Sequence, residues 1–192
     1  MTLRQSAAQS SLLVLALVPV LCADSLSVRF RGDQLFFSAP KLDLTREPLL
    51  ARLRNGAPVT YDFHLALWSG VKTNLRRRSF ERFVVSYDLW EEKFAVRGLG
   101  KARSGAIQLD AAGVSRWCLE NVSIVSPGLA PDEPFWVRLE IRAADPRKDP
   151  ALLDPRGINL ANLVDLLSRP SRGDQQRWVL ESGQLRAREV TP

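Results

Sequence analysis

Four side chains in this sequence have types that could do covalent chemistry. His64 is the only histidine, Asp62 lies two residues before it, Ser86 falls in the run VVSYD, and Cys118 stands between Trp117 and Leu119. In an alternating strand, residues two apart share a face, so Asp62 and His64 project to the same side. Ser86, expected on a following strand and near His64, would complete the residue types of a Ser-His-Asp arrangement. There the imidazole takes the serine proton and the carboxylate orients the imidazole. The context argues against it. A hydrolytic serine sits on a sharp turn beside oxyanion donors, as in G-x-S-x-G, whereas VVSYD reads as the middle of a strand. Cys118 and His64 are the minimum for a thiol nucleophile and its base. The thiol falls on the apolar stripe of an expected helix, however, where a buried, inert cysteine is the expectation. One histidine without a cysteine pair leaves too few ligands for a tight zinc site. Gly98-Leu99-Gly100 lacks the third glycine and the following helix of a dinucleotide loop. The expectation is a protein that is not an enzyme, with no catalytic residues, no cofactor and no metal.

The densest charged feature is basic. Lys72, Arg76, Arg77, Arg78 and Arg82 fall within eleven residues. Such a cluster can hold the phosphates of lipids or of lipopolysaccharide. It can also be a solvated connection that keeps a sheet edge from pairing with a neighbour. These five are the candidate ligand- or anion-binding residues.

The compartment is read from the amino-terminal stretch. An apolar run, Leu12 to Ala23, follows a segment whose one basic side chain is Arg4 and ends Leu21-Cys22-Ala23. Spanning a bilayer core takes about 20 apolar residues, so the run is short for an anchor. A positive start, an apolar middle and a small residue at the end are the parts of a secretory signal peptide, with cleavage expected after Ala23. Lipidation at Cys22 is a second reading, weakened by Leu21, because a small residue normally precedes a lipid-modified cysteine; an uncleaved anchor is a third. Removing residues 1–23 leaves 169 residues with a formal charge of +5. That length suits a single globular domain, 24–192. Cys118 is then the last cysteine, so no intrachain disulfide can form, which points to a bacterial envelope protein rather than a small animal secreted domain. Asn121-Val122-Ser123 fits the N-glycosylation pattern and matters only in a eukaryotic host. The charge is too weak for a dedicated nucleic-acid binder.

The elements that must position these residues are mostly strands. Leu26, Val28 and Phe30 alternate with polar residues, Gly32-Asp33 turns the chain, and Gln34 to Ala39 returns as a hairpin. Thr45 to Gly56 reads as a short helix, started by Thr45 or Glu47, with Pro48 in its first turn and Gly56 as its stop. Val59 to Trp68 puts Val59, Tyr61, Phe63, Leu65 and Leu67 on one face, and Thr60, Asp62, His64, Ala66 and Trp68 on the other. Phe80 to Trp90 and Phe94 to Leu99 continue an antiparallel meander, with Lys72 to Arg78 as the connection before it. Asp110 to Asn121 fits a capped helix, Val122 to Val125 a short strand, and Phe135 to Arg142 a strong alternating strand. Residues 145–156 read as a polar excursion. Leu160, Leu163, Val164 and Leu167 recur at helical spacing. A last strand, Trp178 to Ala187, is interrupted at Gly183. The fold class expected is α+β: a mainly antiparallel, curved sheet, barrel-like if it closes, with two or three packed helices.

The order of these features resembles the bacterial exported proteins grouped as domain of unknown function 4390. The carriers of the resemblance are the helix and step Asn55-Gly56-Ala57-Pro58 into the long strand, the arginine-bearing strand from Arg76 to Arg82, and Tyr87, across roughly 26–186. That family has no assigned activity, so the resemblance implies an exported location and an α+β fold. The functional expectation is an exported or periplasmic binding or interaction module, with an envelope protein or an anionic lipid surface as partner, no nucleic acid, and no membrane span in the mature chain. The alternative is a carrier of an apolar or lipid-like ligand, because five tryptophans and eight phenylalanines could line a cavity in a curved sheet.

Overall fold

Alternation builds the central strand. The computed structural model describes residues 26–100, 104–126, 128–144 and 176–190. In chain order its strands are β1 (Ser27–Arg31), β2 (Gln34–Ser38), β3 (Val59–Ser69), β4 (Leu75–Asp88), β5 (Lys93–Gly98), β6 (Gly105–Leu109), β7 (Ser123–Val125), β8 (Pro134–Ala144), β9 (Arg177–Glu181) and β10 (Leu185–Arg186). The helices are α1 (Leu49–Arg54) and α2 (Ala111–Glu120), and a 3-10 turn covers Ala187–Glu189.

β3 lies at the middle of a seven-stranded antiparallel sheet. The order runs β6-β5-β4-β3-β8, and the far edge of β8 is shared by β9 and β10. Val59, Tyr61, Phe63, Leu65 and Leu67 are all buried on its inner face. Phe83 and Val85 on β4, and Val137, Leu139 and Ile141 on β8, extend that apolar layer. Phe63 meets Phe83 edge to face, with ring centroids 5.1 Å apart.

A second layer covers this face. The small sheet β1-β2-β7 contributes Leu35, Phe37 and Ile124. Helix α1 contributes Leu49 and Leu53, and α2 contributes Val114, Cys118 and Leu119. Asp110 caps α2 by accepting a hydrogen bond from the Gly113 amide at 2.6 Å. Gly56, at φ 75°, turns the chain out of α1 in a conformation that costs other residues steric strain. The architecture is α+β, dominated by antiparallel sheet.

Four differences from the sequence reading have physical reasons. The large sheet is open, not a barrel: β6 and the β9/β10 pair are separate edges that do not meet. β4 starts at Leu75, so Arg76, Arg77 and Arg78 are part of a strand rather than a connection. Pairing with β3 extends the strand through charged residues that have no apolar period of their own. β6 was not anticipated; its sequence GAIQL is short and carries a positive φ of 58° at Gln108. The last strand divides in two around Ser182 and Gly183, as β9 and β10. The leader 1–23, the polar excursion 145–156 and the helix expected around Leu160 to Leu167 lie outside the described residues.

Candidate functional site

Of the polar groups that sequence reasoning marked, the outer face of the large sheet carries Asp62, His64, Arg78, Arg82 and Ser86. Asp62, His64, Ala66 and Trp68 follow one another along β3. Opposite them on β4 stand Arg82, Phe80, Arg78 and Leu75, and on β8 stand Arg142, Glu140, Arg138 and Trp136.

Asp62 is held by Arg82. The guanidinium donates from Nε to Oδ1 at 2.5 Å and from Nη2 to Oδ2 at 2.9 Å. The two side chains are only 11% and 6% exposed. Both carboxylate oxygens are thereby engaged across the strands, and neither donates orientation to His64. Next to this pair, Glu140 accepts from Arg142 at 2.6 Å and lies 2.8 Å from Arg177 Nε. Burial pushes the Glu140 carboxyl up, but the hydrogen bonds from Arg177 and Arg142 outweigh it and hold it below the usual range.

His64 packs on Phe80, with ring centroids 5.0 Å apart. Burial lowers its pKa below the ordinary 6.5, Asp62 opposes that, and Arg142 adds to it. The shift favours the neutral imidazole. Ser86 does not come near it. Ser86 pairs with Ala95 on β5, six residues along β4 from Phe80, which is roughly 20 Å of strand. Cys118 is fully buried on the inner side of the sheet, and burial pushes its thiol pKa up. Neither the serine triad nor the thiol-imidazole pair is assembled. Among the described residues no group of three potential ligands could hold a metal ion, and no helix is long and apolar enough to cross a membrane.

The basic cluster divides. Arg82 belongs to the ion pair with Asp62. Arg76 is the extra residue of a bulge between the Leu67–Arg77 and Trp68–Leu75 pairs. Alternation along β4 puts Arg77, the partner of Leu67, on the opposite face from Arg78, the partner of Ala66. Lys72, in the β3–β4 turn, lies 6.0 Å from the Trp136 ring centroid. Lys72, Arg76, Arg77 and Arg78 are all exposed.

Sequence reasoning missed what surrounds Lys72. Trp68 on β3 and Trp136 on β8 are direct cross-strand partners on the outer face. With Lys72, Arg138, Glu181 and Ser182 they line a hollow of about 130 Å³. The signal available was alternation alone: both tryptophans stand on the polar faces of their strands. A wider, more open depression of about 480 Å³ lies on the same face where Val84, Ala95 and Gly105 bring small side chains together.

Comparison with protein-family models, with curated proteins and with solved structures finds no match for this chain.

Proposed function

We propose that this chain is a non-enzymatic binding module of the bacterial envelope, which engages an anionic lipid surface through the basic end of the β3–β4 hairpin. One observation carries the reading. Lys72, Arg76, Arg77 and Arg78 gather at that end, exposed, and among the described residues no carboxylate forms an ion pair with any of them. Glu133 lies within electrostatic reach of Arg76 and offsets part of this charge. The surplus of cations at this end still creates a local positive potential that attracts anionic headgroups. The export half of the reading rests on the three-part leader at 1–23. Membership of the group of domain of unknown function 4390 is proposed on the Asn55-Gly56-Ala57-Pro58 step and the arginine-bearing strand.

The carrier alternative needs an enclosed chamber. The open sheet and the helices filling its inner face leave that reading without a supporting observation among the described residues.

Cosedimentation with phosphatidylcholine vesicles, with and without phosphatidylglycerol, tests the proposal. The expected result is binding only to the anionic vesicles, weakening as salt rises, and lost when Arg76, Arg77 and Arg78 are all changed to alanine. Equal binding to neutral vesicles, or binding indifferent to salt, overturns it.

A further inference from the structure

The hollow between Trp68 and Trp136 has a lining with specific chemistry. Side chains directly opposite across an antiparallel pair have Cβ atoms about 5 Å apart, so the two half-buried tryptophans bring apolar surface to the same hollow. The hollow measures about 130 Å³, and a cavity of roughly 150 Å³ takes a benzene ring. One six-membered ring therefore matches it. Lys72 reaches over the Trp136 face. Arg138 has its Nε buried without a hydrogen-bond acceptor, although Glu181 lies 3.3 Å away as an ion-pair partner. Ser182 closes the wall, its hydroxyl already accepting from the Val137 amide and donating to the Gly183 carbonyl, so the charged groups are left to meet a ligand.

We infer that this hollow is a subsite for the ring of an anionic sugar, with its phosphate or carboxylate directed to Lys72 and Arg138. The inference rests on the anionic-surface reading and names a contact chemistry for it. The negative face of an indole attracts the polarised C–H groups on one face of a pyranose. Two cations against one carboxylate leave the hollow with a net positive charge for a monoanion. Glu181 is an acceptor, and sugar hydroxyls are donors; inorganic phosphate lacks a ring and an aromatic acid lacks those hydroxyls. A small number of polar groups around an apolar platform is the usual design of a small-ligand site.

The five tryptophans provide the readout, because each indole N–H gives its own NMR signal. Trp68→Phe, Trp90→Phe and Trp136→Phe assign three of them. Titration of the full chain with glucose 1-phosphate or glucuronate is expected to shift the Trp68 and Trp136 signals saturably and leave that of Trp90 in place. Glucose alone and inorganic phosphate alone are expected to bind about tenfold more weakly or less, and Lys72→Ala, an exposed change, to weaken the charged sugars about tenfold. No shift at either indole, equal binding of inorganic phosphate, or unchanged affinity in Lys72→Ala overturns the inference. Vesicle binding separates the two readings. If the chain binds anionic vesicles while the indoles stay still, the subsite fails and the surface reading stands. If the indoles shift while vesicles are ignored, the subsite stands and the surface reading fails.

Discussion

The Arg82 guanidinium grips the Asp62 carboxylate with two hydrogen bonds, at 2.5 and 2.9 Å, on the outer face of β3 and β4. The pair ties the two central strands together at a point where both side chains are nearly out of water. Breaking a buried pair by removing one partner leaves an uncompensated charge. Arg82→Ala is therefore expected to destabilise the protein by about 3 kcal/mol in urea denaturation. The Asp62→Ala/Arg82→Ala double variant should be more stable than the Arg82→Ala single variant, because no orphan charge remains. Additive losses would show that the two groups act independently.

His64 makes stability depend on pH. Its folded pKa is lowered, chiefly by burial, so near pH 6 the unfolded chain binds more protons than the folded one. Stability then rises with pH through that range. The contribution is complete above the ordinary value of 6.5 and is lost as the pH falls toward the lowered folded value. Wild type is expected to lose more stability than His64→Gln between pH 7.5 and pH 5. An NMR titration in which the imidazole protonates above pH 6.5 would contradict this assignment.

The legible parts of the fold were those with their own period. β3 alternates without a break over Val59 to Leu67, and the burial of that face follows it residue by residue. β8 is read equally well, because Phe135, Val137, Leu139 and Ile141 fix its inner face. β4 is different. Leu75 to Arg78 has no apolar alternation and becomes strand only because β3 offers its edge. The candidate site was illegible for the same reason at longer range. Trp68 and Trp136 are 68 positions apart, and only the β3–β8 register makes them neighbours. Strand pairing also decided against Ser86: two strands in succession do not place any given pair of residues opposite each other, and the register puts Phe80 beside His64.

The segment between β2 and α1 is fastened from both layers. The Tyr61 hydroxyl on β3 donates to the Leu44 carbonyl. The Leu44 amide donates to Ser115 Oγ on α2 at 3.1 Å. Both bonds are buried, so removing either donor or acceptor leaves a polar group without a partner. Tyr61→Phe and Ser115→Ala are each expected to cost about 1–2 kcal/mol. Burial also holds the phenol above its ordinary pKa of 10.0. In an alkaline absorbance titration the Tyr61 phenolate should appear only as the chain unfolds. Ionisation near pH 10 with the fold intact would contradict that placement.

Cys118 is the final test of whether any nucleophile is available. The thiol is fully buried among apolar neighbours on α2, and burial raises its pKa, so the reactive thiolate is suppressed in the folded state. The sheet itself separates it from His64, which faces outward on β3. Labelling by a thiol-disulfide reagent is therefore expected to be slow in the native protein and to follow unfolding, becoming complete in denaturant. Cys118→Ala should cost about 1 kcal/mol for the lost sulfur contacts. Cys118→Ser should cost more, because a hydroxyl in that apolar site has to find a hydrogen-bond partner. Rapid, stoichiometric labelling without denaturant would put the thiol at the surface and restore the case for nucleophilic chemistry.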